Sequence, residues 1–224
     1  PVKLWIAAGV LLLFLAAAAS PASVEAALGR TPGSLAWGPA LFRVLLAVHG
    51  CTAILIGFVR RGTATPGGVE SAFTPRRAWL GLGLLLAVAL ALRLYRLDNG
   101  LWLDEIFTLL DFVRAPLGTV VSSFAFKNQH MLYSVLASFS VGSLGESAWS
   151  LRLPAVLFGV ASVWALFLLG KRLAGVRAAL LACALMTFSY HHVWFSQNAR
   201  GYTGLLFFTI LATWLWLEAS DRRS

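Results

Sequence analysis

The chain has 224 residues, 59% of them hydrophobic and 12% charged, with a formal net charge of +9. Apolar runs approaching or exceeding the roughly 18 to 20 residues needed to cross a bilayer recur along it, which marks an integral membrane protein and excludes an ordinary soluble domain. The basic residues lie in loops between these runs, with no basic aromatic patch, so the positive charge reads as a topology signal and no nucleic-acid partner is expected.

Runs such as GLGLLLAVALAL and LPAVLFGVASVWALFLLG are continuously apolar, whereas a membrane β-barrel alternates within segments of about ten residues. The fold class expected is therefore all-α, a polytopic transmembrane helical protein of about six spans plus extracytoplasmic juxtamembrane helices. In chain order the candidate spans are Leu4 to Ala19, Pro39 to Val59, Ala78 to Leu97, Leu153 to Gly170, Ala178 to Phe195 and Thr203 to Leu217. The first, following Lys3 and followed by AAAASPAS, also has the form of a signal peptide; an uncleaved anchor is favoured because the next span makes a hairpin with it. Cys51 and Cys183 fall inside apolar runs without metal or redox spacing and read as packing residues.

The loop RRGTATPGGVESAFTPRR, with four arginines among Gly, Pro and Thr, is the strongest cytoplasmic signal in the chain. The expected organisation is 1–77, an amino-terminal transmembrane hairpin with its cytoplasmic linker, and 78–224, a second transmembrane portion. With the linker inside, the span from Ala78 runs outward and delivers LDNGLWLDE to the extracytoplasmic face. The segment His130 to Leu144, with four serines, is expected to lie on the outer surface. Counted as a span, it would put Lys171, Arg172, Arg177, Arg222 and Arg223 outside and reverse the charge bias. The loop KRLAGVR is then cytoplasmic, and SQNARGY shares the extracytoplasmic face with Asp104 and Glu105.

Four groups thus converge on one face: Asp104 with Glu105, the Lys127-Asn128-Gln129-His130 cluster, Arg152 at the head of a span, and Arg200 with Tyr202. An ionisable residue near membrane depth is costly and needs a partner or a wet cavity. Each has a plainer reading beside the functional one. Asp104 could simply cap a helix beginning at Glu105. Arg93 and Arg96 are expected to snorkel at the outer end of their span. His191 and His192 lack a third ligand nearby, which favours an interfacial role over a metal site. Arg200 stands between apolar runs with no acid nearer in sequence than Glu218, and a guanidinium there calls for an anionic partner such as a phosphate.

The order RLYRL, LWLDE, NQHMLY, ESAWSLRLPAVLFG, a basic turn and then SQNARGY resembles the amino-terminal part of the GT-C glycosyltransferases. The nearest group contains the protein O-mannosyltransferases and the aminoarabinose transferases that modify lipid A. The resemblance covers about Ala78 to Glu218 and makes 78–224 the amino-terminal part of a GT-C-like catalytic domain. It implies a catalytic or acceptor-binding Asp104 with Glu105 as its neighbour, a His130 matching the His of an HPPLYY-like stretch, and Arg200 and Tyr202 near the donor phosphate. Met131 stands where the family commonly has proline. The hairpin before Ala78 is additional to a simple member, and the chain ends after about four family helices, so it is expected to be an amino-terminal portion of the enzyme.

A transferase on the extracytoplasmic face, where nucleotide sugars are not expected, implies a polyprenyl-phosphate-linked sugar as donor. A protein, lipid or glycan hydroxyl is the acceptor and membrane lipids the surroundings, in a bacterial plasma (inner) membrane. Asp104 would be the general base, and Arg200 with Lys127 would stabilise charge on the leaving phosphate. Adjacent carboxylates point in different directions, so Asp104 and Glu105 are not a glycosidase pair; Glu105 orients the loop or is one ligand of a divalent ion. Gln129, His130, Arg152 and Tyr202 complete the expected substrate-binding set. No cofactor is firmly implied, a divalent cation being compatible with the site. The alternatives are a transporter or channel subunit, whose expected repeat of broken helices is not seen, and a non-catalytic protein of the same fold.

Overall fold

The computed structural model of the protein describes residues 2–35, 37–59, 75–124 and 129–221. All secondary structure among them is helical. The chain divides into two compact units, one of residues 1–67, 116–123 and 219–224, the other of 68–115 and 124–218.

In the first unit, α1 (Val2–Ala18) and α3 (Gly38–Val59) pack against each other as an antiparallel pair. Small residues permit the contact: a Cβ on Gly50 would lie 2.9 Å from the Gly9 carbonyl oxygen, and one on Gly57 2.8 Å from Ile6. Arg43 Nε, donating to the Ala16 carbonyl at 3.0 Å, closes the pair at one end. The short helix α2 (Pro21–Ala27) bends from α1 by 94°. Ser20 caps it, its hydroxyl accepting the Ser23 N–H, with Pro21 in its first turn.

In the second unit, α4 (Pro75–Leu94) leads into α5 (Leu103–Phe107), which continues directly into a π-helix, Thr108–Val113. The other helices are α7 (Met131–Leu144), α8 (Ala148–Phe188), α9 (Tyr190–Ser196) and α10 (Tyr202–Asp221); α6 (Leu117–Ser122) belongs to the first unit. Among the described residues four helices are long and apolar enough to cross a membrane, or five if α1 and α2 form one bent span. The sequence leads to an expectation of about six, of which Leu153 to Gly170 lies within α8 and Ala178 to Phe195 runs from its second arm through the break at Ser189 into α9. At Gly175, with φ 83° and ψ 170°, α8 leaves helical geometry, and its two arms fold back on each other. Cys183 Sγ reaches the Val163 carbonyl at 3.3 Å, and a Cβ on Gly170 would lie 3.1 Å from that of Ala179. The turn in KRLAGVR is therefore a helical hairpin whose glycine takes the left-handed conformation at little steric cost.

Ala78 and Leu82 of α4 share a core cluster with Val176 and Ala179, and Arg172 Nη2 donates to the Leu217 carbonyl at 3.2 Å. Arg76, Arg77, Lys171, Arg172 and Arg177 thus belong to one end of this unit. Both ends of α7 belong to the other. His130, at its start, packs edge-on to Tyr202 with ring centroids 5.2 Å apart, and Ser140, near its finish, donates to the Ser150 carbonyl at 2.6 Å. With 14 residues, α7 is about 21 Å long at 1.5 Å per residue, less than the hydrocarbon thickness, and it lies across that end.

The start of α8 shows how the sequence accommodates its proline. Ser147 and Ser150 cap the helix reciprocally. Pro154 has no N–H for the Ser150 carbonyl, and the Ser140 hydroxyl of α7 supplies the missing donor. Tyr133 of α7, buried, donates its hydroxyl to the Leu151 carbonyl at 2.6 Å; burial and the nearby Glu105 charge push its pKa well up, so it remains the donor.

Candidate functional site

The loop between α4 and α5 is held by a single side chain. Arg152, buried in the second turn of α8, donates Nη1 to the carbonyls of Leu97 and Asn99, both at 2.7 Å, and Nη2 to that of Gly100 at 3.0 Å. Its Nε and Nη2 also reach Glu105, at 2.8 and 2.6 Å. A guanidinium has five N–H donors, and all five are engaged within the protein. Arg152, expected among the substrate-binding residues, therefore has no donor left for a ligand.

Glu105 is equally occupied. Its Oε1 accepts from Arg152 Nε and, at 2.6 Å, from the Ala199 N–H; its Oε2 accepts from Arg152 Nη2 and, at 2.9 Å, from the Trp102 N–H. The Trp102 contact is an N3 carboxylate turned back on the N-cap, so Glu105, and not Asp104, caps α5. Fully buried and accepting four bonds, it presents no open face to a metal or a substrate.

Asp104, one residue earlier, faces away. Its side chain is 65% exposed, and Oδ2 lies 2.9 Å from Arg200 Nη1. Arg200 is nearly buried; its Nη2 donates to the Tyr202 hydroxyl at 3.1 Å, and its guanidinium lies 5.4 Å from that ring's centroid. The Tyr202 ring in turn meets His130 and Phe195. His130 is half-buried, and its Nε2 is enclosed without a hydrogen-bond partner. Burial, and then the Arg200 charge, lower its pKa from the usual 6.5, so the ring is neutral at physiological pH. Gly201 allows this approach, since a Cβ there would come 3.0 Å from His130 Nδ1. Gln129 is buried just before α7, and Lys127 lies outside the described residues.

Every position of SQNARGY has an assignable contact. Ser196 Oγ accepts from Arg93 Nε at 3.2 Å. Gln197 Nε2 donates to the Leu92, Arg93 and Tyr95 carbonyls, at 3.3, 3.2 and 2.8 Å, satisfying carbonyls that the end of α4 leaves open. Asn198 Nδ2 closes on the Trp194 carbonyl at 2.8 Å. The motif is a connector that locks α4, α5 and α7 to the start of α10. Tyr133 and Gln197, both important to the frame, were not singled out from sequence; the position of Gln197 inside the motif was the available signal.

Arg93 is a correction to the snorkelling expectation, for it is fully buried. Its Nη2 reaches His192 Nδ1 at 2.6 Å and the Met186 carbonyl at 3.5 Å, and its Nη1 the Ala89 carbonyl at 2.9 Å. The physical reason is the helix break at Ser189, which turns His192 and Ser196 towards α4. At Gly159 a Cβ would overlap Ser196 Oγ, so the glycine makes the room. Arg96, by contrast, is exposed. Among the described residues no group of three His, Cys, Asp or Glu side chains is placed to hold a metal ion.

The frame can present a carboxylate and a guanidinium side by side at an accessible surface, backed by a neutral imidazole and a phenol. Such a set can take a proton from a hydroxyl and hold an anionic oxygen. No curated protein and no solved structure matches the chain. A family model does: residues 129–224 match that of dolichyl-phosphate-mannose-protein mannosyltransferase, which supports a membrane glycosyltransferase of GT-C type. The matched segment holds His130, Arg152, the whole of SQNARGY and the helices that carry them, so the GT-C resemblance, read from motif order, stands on the dolichyl-phosphate-mannose-protein mannosyltransferase family match over residues 129–224.

Proposed function

We propose that the protein transfers a sugar from a polyprenyl-phosphate donor to a hydroxyl of a protein, lipid or glycan acceptor at the extracytoplasmic face of a bacterial plasma membrane. The observation that carries this reading is the 2.9 Å contact between the exposed Asp104 and Arg200. The acceptor oxygen attacks the anomeric carbon and gives its proton to Asp104. The bond from that carbon to the phosphate oxygen breaks, and the electron pair leaves with the polyprenyl phosphate, its charge held by Arg200 together with Lys127. A phosphate needs little protonation to leave, so one carboxylate suffices, and a single displacement inverts the anomeric configuration.

Glu105 and Arg152 act as positioning residues in this reading, because their bonds to Trp102, Ala199, Leu97, Asn99 and Gly100 hold Asp104 and Arg200 in register. Tyr202 orients Arg200, and Gln129 and His130 contribute neutral contacts to the bound sugar. The sidedness is supported by the basic residues gathered at the end of the unit remote from the site, as the positive-inside tendency requires. The hairpin of 1–77 is proposed as a module separate from the transferase portion, 78–224. The test is transfer from a purified polyprenyl-phosphate sugar in detergent, read by mass spectrometry of the acceptor and by the anomeric coupling in the product. A retained configuration, or no transfer by the wild type, overturns the reading.

A further inference from the structure

In the first unit a turn is built to receive a helix. The chain Leu28–Leu35 is folded around the carboxylate of Glu25, a buried side chain of α2 whose Oε2 accepts the Gly33 N–H at 2.7 Å and whose Oε1 accepts that of Leu35 at 2.8 Å. Gly29 and Gly33 supply left-handed φ values of 66° and 80° within it. Two groups of this turn meet one face of α6. The Leu28 carbonyl oxygen rests so closely on Gly118 that a Cβ there would overlap it. Arg30 Nε donates to Ser122 Oγ at 2.9 Å, and that hydroxyl donates onward to the Gly118 carbonyl at 2.6 Å. Positions 118 and 122 are four apart and share a helix face. Val120 is buried, and Val121 and Ser122 border a cavity of about 520 Å³ with Val24, Leu28 and Phe42.

By chain order α6 belongs to the connection between the Asp104-bearing helix and His130. A six-residue helix is too short to hold its own conformation, so its order must come from what it is packed against. We propose that the Glu25-centred turn of the amino-terminal hairpin is a dock for α6, and that Arg30 and Gly118 are positioning residues which restrain the connection between Asp104 and His130. The positioning role rests on the function proposed above; the dock does not. On this reading the additional hairpin holds one segment of the connection between Asp104 and His130.

The test uses the whole protein in detergent, with Gly118→Val, Arg30→Ala and Arg30→Lys, the last keeping a donor that can reach Ser122. Hydrogen exchange over 116–123 is expected to rise about tenfold or more in the first two variants, through overlap with the Leu28 carbonyl in one and loss of the Ser122 bond in the other. Arg30→Lys should restore much of the protection. Steady-state transfer should show a severalfold higher KM in Gly118→Val and Arg30→Ala, with kcat less affected and partial recovery in Arg30→Lys. Wild-type exchange in both variants overturns the dock. Raised exchange with wild-type kinetics overturns the positioning role. A wild-type protein without any transfer overturns the proposed function and the positioning role with it, while the exchange data still decide the dock.

Discussion

Arg200 Nη1 stands 2.9 Å from Asp104 Oδ2, joining a guanidinium that is only 10% exposed to a carboxylate that is 65% exposed. The pair sits beside a second one, Arg152 with Glu105, in which both partners are buried. Neighbours in sequence, the two carboxylates thus have opposite tasks: Glu105 is consumed by the frame and Asp104 is presented to whatever approaches. In the proposed reaction a donor phosphate would compete with Asp104 for Arg200, freeing the carboxylate to act as base as the donor arrives.

Asp104→Asn preserves size and an oxygen that can accept from Arg200, and the carboxylate it replaces is open to water, so the variant should melt close to wild type. Its turnover should fall about 100-fold or more through loss of the base. Donor binding should persist, because Arg200 is released. Near-wild-type transfer by this variant removes Asp104 from the mechanism.

Arg200→Lys keeps the charge without the planar fork, and is expected to retain part of donor binding, whereas Arg200→Ala loses most of it. Binding of a polyprenyl-phosphate sugar, measured alongside a melting curve for each variant, separates this from a purely structural arginine, for which both variants would melt early together. Unchanged affinity in Arg200→Ala would move the donor site towards Lys127.

Glu105→Ala strands a buried guanidinium and two backbone N–H donors, those of Ala199 and Trp102, and Arg152→Ala strands a buried carboxylate and three carbonyls. Removing one partner of a buried pair costs about 3 to 5 kcal/mol, so each should lower the melting temperature sharply where Asp104→Asn does not. A wild-type melting curve for either would mean that the pair does not hold the loop.

His130 has a pKa below its usual 6.5 because of burial first and the Arg200 charge second. For a depressed folded pKa the stabilisation is complete above the unfolded value and is lost as pH falls through the folded one. The melting temperature should therefore drop on going from pH about 7.5 to about 5, and His130→Gln should flatten that part of the profile. An unchanged profile in His130→Gln would place the responsible group elsewhere. Arg200→Ala should raise the ring's titration midpoint, read by NMR.

Sidedness can be read by labelling with an impermeant thiol reagent. Asp98 and Glu146 are exposed and belong to the site end of the second unit, while Leu173 is exposed at the helical hairpin. Cysteines at 98 and 146 should label from outside and one at 173 should not, since α7 lies across one end. Ser196 is unsuitable as a reporter, being fully buried. Opposite labelling at 98 and 146 would make α7 a span.

The sequence by itself determined the helical class, the position of the apolar runs, the basic turn at KRLAGVR and the motif order that resembles the GT-C glycosyltransferases. These follow from local quantities: a continuous apolar stretch must be a helix in lipid, and a basic segment between two such stretches must leave the hydrocarbon. It also gave the expectation that α7 does not cross, because charge bias constrains an even or odd number of crossings. What each polar side chain does was decided only by tertiary structure. Whether Arg152 faced a ligand or the backbone depended on where the carbonyls of Leu97, Asn99 and Gly100 came to lie. Whether Arg93 reached water depended on a helix break about a hundred residues away in the chain, at Ser189, with Gly159 making room. Asp104 and Glu105 already had different expected roles, but their partners were decided by the fold, where one helical step of about 100° turns Glu105 to the frame and Asp104 to the surface. Hydropathy is a sum over neighbours in sequence, but a hydrogen bond is a distance in space, and the second cannot be read from the first.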